Sequence, residues 1–288
     1  MAGTAGTAWM SPDPDDQQPQ VDLRTHRPHP ARVYDFLLGG KTNFPADRAA
    51  AQAGLAANPH SRIPPRENRA FLQRAVRYLA QEAGIRQFLD IGTGIPTPPN
   101  VHEIAQQAAP DARVVYVDND PIVLAHARAL LTSVHPGSTA YIDADLRRVD
   151  QILADPQVRG MLDLDQPVGL LLIAILHFIP DSDDPHGLVG RLLDALPSGS
   201  YLALSHLTGD FDPDAWAGVT AVYAKSGVTM QVRSRPQIER FFDGLDLVEP
   251  GVVSLPRWRP GPSPQAATAD GQVSDAQVSV YGGIAQKR

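Results

Sequence analysis

The sequence predicts a doubly wound α/β domain, and three observations carry that prediction. From Gln87 onward, short apolar runs of strand length alternate with stretches of helical periodicity. The run at 168–175, VGLLLIAI, is apolar on both faces, as a central parallel strand should be. The stretch FLDIGTGIPTPPNVHE at 88–103 follows the first strand with Gly92 and Gly94, the kind of glycine turn that such sheets place beside a ligand.

The elements follow in order. Residues 1–20 are small, polar or proline and are expected to be disordered, with the tail extending to about residue 30. Val33, Phe36 and Leu37 sit at helical spacing, and Gly39-Gly40 stops that helix. A second helix is expected over 46–57. Pro64-Pro65 opens a longer one, whose Phe71, Leu72, Ala75, Val76 and Leu79 share a face and which Gly84 ends. Residues 31–84 are thus expected to form an N-terminal helical cap or extension, and 85–288 the binding domain. In that domain strands are predicted at 87–91, 112–118, 139–145, 168–175 and 200–207, with helices at 101–109, 121–132, 146–154 and 185–196 between them. Helices at 213–225 and 236–242 follow, and the segments 245–255 and 277–287 supply the last strands.

Composition narrows the function classes. Among 288 residues no apolar run reaches 18, so no membrane helix is predicted, and the N-terminus lacks the pattern of a signal peptide. The absence of cysteine removes disulfides and thiolate chemistry and fits a cytoplasmic protein. A formal charge of −7 disfavours a general nucleic-acid surface. Three lysines against abundant arginine, alanine and proline read as a high-GC bacterial composition.

The glycine loop decides the ligand. A dinucleotide fingerprint needs a third glycine and a helix opening directly onto a pyrophosphate. Here Thr97 stands at the third glycine position, and Pro96, Pro98 and Pro99 have no N–H to donate. Asn100 and Glu103 form a capping pair that occupies the helix amides, and no Lys or Arg lies between Gln87 and Asp111. S-adenosyl-L-methionine carries no phosphate, and its sulfonium and ammonium favour an acidic site. Gly92, Thr93 and Gly94 are therefore read as its backbone cradle. Asp118, which ends the second strand, is the candidate for the ribose hydroxyls, with Asn119 beside it. Asp145 or Asp143 after the third strand is the candidate for the adenine amino group, with Leu146 adjacent, and Asp90 faces the methionine ammonium.

The motifs FLDIGTGIPTPPNVHEIAQ, VVYVDNDPIVLAHARALL, ARVYDFLLGGKTNFPADR and NRAFLQRAVRYLA, in this order, resemble the actinobacterial S-adenosyl methyltransferase family first catalogued as a domain of unknown function. The resemblance runs from about Ala31 to the C-terminus. It implies a class I Rossmann-like methyltransferase fold with a seven-stranded, mostly parallel sheet and S-adenosyl-L-methionine as ligand. Pro96 replaces the last glycine of the broad D-x-G-x-G-x-G pattern, which suggests a rigid loop.

Methyl transfer asks the protein mainly to position donor and acceptor. A base is needed where a hydroxyl acceptor must lose a proton. His177, after the fourth strand, and His206, after the fifth, are the candidate bases, and His177 tilts the choice of acceptor atom toward oxygen. Tyr34 and Asn43 would reach the cofactor from a segment folded over the crevice. Arg69 and Arg74 are candidates to pair with a carboxylate, and Trp258, between Arg257 and Arg259, is a candidate wall of an acceptor pocket. Asp181, Asp183, Asp184 and His186 form an acidic run read as a solvated turn. The expected activity is methyl transfer to a small molecule. A non-catalytic S-adenosylmethionine-binding module is the alternative, and an NAD-dependent oxidoreductase is the reading the prolines oppose.

Overall fold

The structure, a computed structural model, describes residues 22–131, 139–260 and 273–288. The expected disordered stretch 1–20 and the end of the predicted helix at Thr132 lie outside the described residues. Three helices come first: α1 (Pro30–Leu38), α2 (Pro45–Ala57) and α3 (Ile63–Gln81). Gly39 takes φ +87° and closes α1 in the left-handed conformation, which a side chain would strain. Then β1 (Gln87–Ile91), α4 (Val101–Ala108), β2 (Arg113–Asp118), α5 (Pro121–Leu131) and β3 (Thr139–Asp143) alternate. They are followed by α6 (Val149–Ala154), α7 (Pro156–Met161), β4 (Gly169–Ile173), α8 (Pro185–Asp194) and β5 (Tyr201–Leu207). The chain ends with α9 (Pro213–Lys225), α10 (Arg235–Glu239), β6 (Leu245–Leu247), β7 (Val253–Ser254), α11 (Asp275–Val278) and β8 (Val280–Lys287).

Seven strands lie in the order β3-β2-β1-β4-β5-β8-β6, and the two-residue β7 pairs with β8 beside them. β1 to β5 are parallel, while β8 runs antiparallel to β5 and β6. The expected sheet of seven strands is present, with β7 as a short addition. The predicted helix at 146–154 starts later, at Val149, because Asp145 accepts from the Arg147 amide (2.9 Å) and turns the chain first. Helix α7 was not expected; it begins on Pro156, with Asp155 capping the Gln157 amide.

Strand alternation divides the interior into two layers. Phe88, Val114, Tyr116, Leu171 and Ala203 face one side, where Phe71, Val76 and Leu79 of α3 meet them. Their neighbours Leu89, Val115, Val117, Leu170 and Leu202 face the other, against α6, α7 and α8. Helix α3 is therefore packed on the sheet itself.

The C-terminal loop is locked onto α3. Arg74 donates to the carbonyls of Trp258 (2.9 Å) and Leu255 (2.7 Å). The Trp258 ring is fully buried, edge-on to Phe71 and Tyr78, so it packs the core. Trp258→Ala is expected to cost about 3–5 kcal/mol of unfolding free energy. A loss below ~1 kcal/mol in urea denaturation, the range of a surface change, would show that this ring does not hold the loop to the core.

Candidate functional site

The order of the sheet reverses between β1 and β4, and a cavity of about 440 Å³ opens there beyond the carboxyl ends of the strands. Tyr34, Asp90, Gly92, Thr93, Gly94 and Asp118 line it, as do Asn119, Asp145 and Leu146. Asn43, His177 and His206 do not.

Gly92 and Gly94 have φ of +78° and +70°, the region where glycine is favoured. A Cβ on Gly92 would stand 2.6 Å from the Ile175 side chain, whereas one on Gly94 would meet only Ala31 at 3.9 Å. Gly92 thus permits close packing of loop on strand end, and Gly94 leaves the cavity floor bare.

The loop amides are spent inside the protein. Gly92 and Thr93 donate to the Val117 carbonyl (2.8 and 3.3 Å), Gly94 to Asp118 Oδ2 (2.7 Å) and Thr97 to Asn100 Oδ1 (3.1 Å). The Asn100 amide goes to Glu103 Oε2 at 2.5 Å, at the start of α4. A phosphate would find few donors here. The loop carbonyls take the opposite partner: Arg69 of α3 donates to those of Thr97 and Pro99, each at 2.6 Å. Sequence reasoning offered Arg69 as a carboxylate partner and did not foresee this role, because its signal, a guanidinium 28 residues from its acceptor, has no local pattern.

Two buried carboxylates, Asp90 and Asp118, line the cavity beneath the loop. Burial pushes the Asp90 carboxyl up to about 7, opposed by Arg69 and assisted by the nearby Asp118. Burial also raises Asp118, against the amides of Asp120 and Gly94 that its oxygens accept. Each Asp118 oxygen keeps a lone pair for a ligand hydroxyl. Farther out, burial opposes ionisation of Asp145, but the Arg147 amide and guanidinium outweigh it and hold the carboxyl below its ordinary range. Asn119 Nδ2 donates to the same carboxylate (3.1 Å).

On the β4 side a hydrogen-bonded chain crosses four elements. The Ala174 amide donates to Ser205 Oγ (2.9 Å), Ser205 donates to Asn68 Oδ1 (2.5 Å), and Asn68 Nδ2 donates to the Tyr34 hydroxyl (2.9 Å). Tyr34 in turn donates to the Pro65 carbonyl (3.0 Å), and burial pushes its phenol up to about 12. Ala174, on the cavity wall, has φ +55°, a strained value for a residue with a Cβ, held by that amide bond.

The remaining candidates sit elsewhere. Asn43 Nδ2 donates to Asp35 (2.8 Å) and to the Gly40 carbonyl (3.0 Å), closing the turn after α1. His206 is fully buried between the Leu207 carbonyl (2.7 Å) and the Arg233 guanidinium (2.8 Å), and burial brings its imidazole down to about 3. His177 packs against it with Nδ1 unpartnered, and burial, with His206 and Arg233 adding to it, holds its imidazole well below the ordinary range. Both rings are neutral and shielded from the cavity, because the short helical turn at Leu176–Phe178 folds back on β5. The acidic run at 181–186 is dispersed: Asp181 pairs with Arg233 (2.6 Å), Asp183 with Arg147 (2.6 Å), and Asp184 caps α8. Among the described residues no acidic or histidine cluster could hold a metal ion.

The N-terminal segment before α1 also reaches the cavity, which composition did not signal. His29 Nδ1 lies 3.0 Å from buried Asp120, and its Nε2 3.3 Å from Asn119 Oδ1. Buried Arg32 pairs with Asp120 at 3.1 Å.

The position of Asp90 has a thermodynamic consequence. An unfolded Asp titrates near pH 4. Between there and about pH 7 the folded protein holds the proton longer, so the Asp90 contribution to stability falls as pH rises through that window and levels off above it. Urea unfolding of wild type and Asp90→Asn across pH 4–8 should show a difference that shifts in favour of the Asn variant as pH rises. A pH-independent difference would mean that Asp90 is ionised throughout.

Comparison with known proteins places this site in a family. The family model described as S-adenosyl methyltransferase matches residues 16–288. A DUF574 family protein of Streptomyces avermitilis is 50% identical, with TM-score 0.87, covering 92% of this chain and 100% of its own. A candidate methyltransferase of Thermobifida fusca is 42% identical, with TM-score 0.85, covering 94% of this chain and 99% of its own. A search of curated proteins finds no match. With a family match over nearly the whole length and the glycine loop, strand-end aspartates and cavity in the same chain, the protein belongs to the S-adenosyl methyltransferase family and uses S-adenosyl-L-methionine.

Proposed function

We propose that the cavity holds S-adenosyl-L-methionine along β1 and β2 and passes its methyl group to a small-molecule acceptor bound at the cavity opening. The observation that carries this reading is the loop whose amides are used internally while its glycines leave the floor open, which suits an adenosyl ligand without phosphate. Asp118 would accept the ribose hydroxyls, and Asp145, steadied by Asn119 and Arg147, the adenine amino group. Asp90 would face the ammonium, and the donors of Arg69 not given to the loop would face the carboxylate. When bound, the cofactor supplies a methyl carbon already activated by its sulfonium. The volume of about 440 Å³ lies in the lower part of the small-molecule range, which favours a compact acceptor.

A preference for oxygen rested on His177. Because neither His177 nor His206 lines the cavity, and burial makes both imidazoles poor proton acceptors, support for a histidine base is withdrawn. An acceptor that arrives with its nucleophilic atom already deprotonated fits this wall better.

Calorimetric titration tests the reading. S-adenosylmethionine and S-adenosylhomocysteine should bind and NAD should not. Asp118→Ala should weaken S-adenosylmethionine by about tenfold or more, the scale of a lost hydrogen bond to a charged group. Tight NAD binding without S-adenosylmethionine binding, or an unchanged affinity in the variant, would contradict it.

A further inference from the structure

We infer that the methyl acceptor is a small organic anion, recognised through its charged group by Arg24 and Arg27 at the cavity rim. The inference rests on the transferase reading above and adds the acceptor's charge to it.

Five arginines and four aspartates line the cavity. The inner ones are committed. Arg32 is paired with Asp120, Arg69 holds the loop carbonyls, and Arg147 lies between Asp145 and Asp183. Asp35 accepts from Asn43, and Asp90 and Asp118 form the cofactor floor. Arg24 and Arg27 differ. Both are exposed at the cavity, and among the described residues neither guanidinium meets a carboxylate or a carbonyl. Their backbone is nonetheless fixed. Arg32, 2% exposed, donates through Nη2 to the Arg24 carbonyl (3.3 Å) and the Arg27 carbonyl (3.1 Å). The Arg24 amide donates to Asp22 Oδ1 (2.9 Å), and Arg24 adopts φ +50° to make the turn. Two uncommitted guanidinium forks are thus carried on a turn tied to the buried Arg32–Asp120 pair, so little of their backbone freedom is left to lose on binding.

Such forks match the planar or tetrahedral oxygens of a carboxylate or phosphate. The donor adds a positive charge of its own, so cavity and donor together select a partner of opposite sign. A charged handle also fits a wall without a histidine base, because recognition then does not depend on deprotonating the acceptor.

The test uses the full chain. A small-molecule extract of Streptomyces is separated on an anion exchanger into retained and unretained fractions, and each is incubated with enzyme and methyl-labelled S-adenosylmethionine. Label is expected in the retained fraction. Arg24→Gln/Arg27→Gln should raise the KM for that fraction about tenfold or more, while calorimetric affinity for S-adenosylmethionine and the thermal midpoint stay within twofold and 2 °C of wild type, differences about the size of a small surface effect. Added salt should raise the wild-type KM and leave that of the variant nearly flat. Label confined to the unretained fraction, or a double variant with wild-type KM, overturns the inference and leaves the transferase reading standing. No transfer to either fraction, with S-adenosylmethionine still bound, overturns the transferase reading and this inference with it.

Discussion

The Arg69 clamp is the contact on which the site depends. A loop with prolines at 96, 98 and 99 has few amides with which to hold its own shape, and its carbonyls need donors from outside. Arg69 supplies two at 2.6 Å from the middle of α3, a helix whose apolar face is already fixed on the sheet through Phe71, Val76 and Leu79. The rigidity of the sheet is thereby passed to the cofactor loop through one side chain. A charge-assisted bond to neutral carbonyls needs no paired acid, which leaves the neighbouring carboxylates available for a ligand.

Those carboxylates are in a costly place. Asp90 and Asp118 lie at the carboxyl ends of adjacent parallel strands, and burial raises the carboxyl of each, so the ligand-free protein resists ionising both. A cationic ligand relieves that cost, and a phosphate would add to it. The same electrostatics that make the floor unfavourable when empty select what can fill it. The rim has the opposite sign, with the exposed Arg24 and Arg27 at the opening. A cavity with an acidic floor and a basic rim orders two ligands of opposite charge along one axis.

Much of this was legible in the sequence. The central strand could be read because both its faces are apolar, the others from their alternation with helices, and the positions of Asp90, Asp118 and Asp145 near strand ends followed from them. The glycine loop and its prolines named the ligand, since the missing N–H groups are a property of the residues themselves. What escaped is what depends on distance along the chain. The partners of Arg69, the Asn68–Ser205 bond 137 residues long and the His29–Asp120 contact join segments with no shared periodicity. His177 follows β4 as expected, whereas His206, expected after the fifth strand, lies within it; a 3-10 turn and buried Arg233 hold both rings in the interior, and neither feature has a sequence pattern. Residues 22–29, grouped with the tail by composition, reach the cavity because Arg32 binds their carbonyls.

A crystal structure with S-adenosylhomocysteine gives the most direct test of the central claim, that an amide-poor loop clamped by Arg69 forms an adenosyl site. The ribose hydroxyls should lie on Asp118 and the amino-acid end beside Asp90 and Arg69, with the Arg69 bonds to Thr97 and Pro99 retained. Ligand bound away from Gly92 and Gly94, or in place only after Arg69 has left the loop carbonyls, would contradict it.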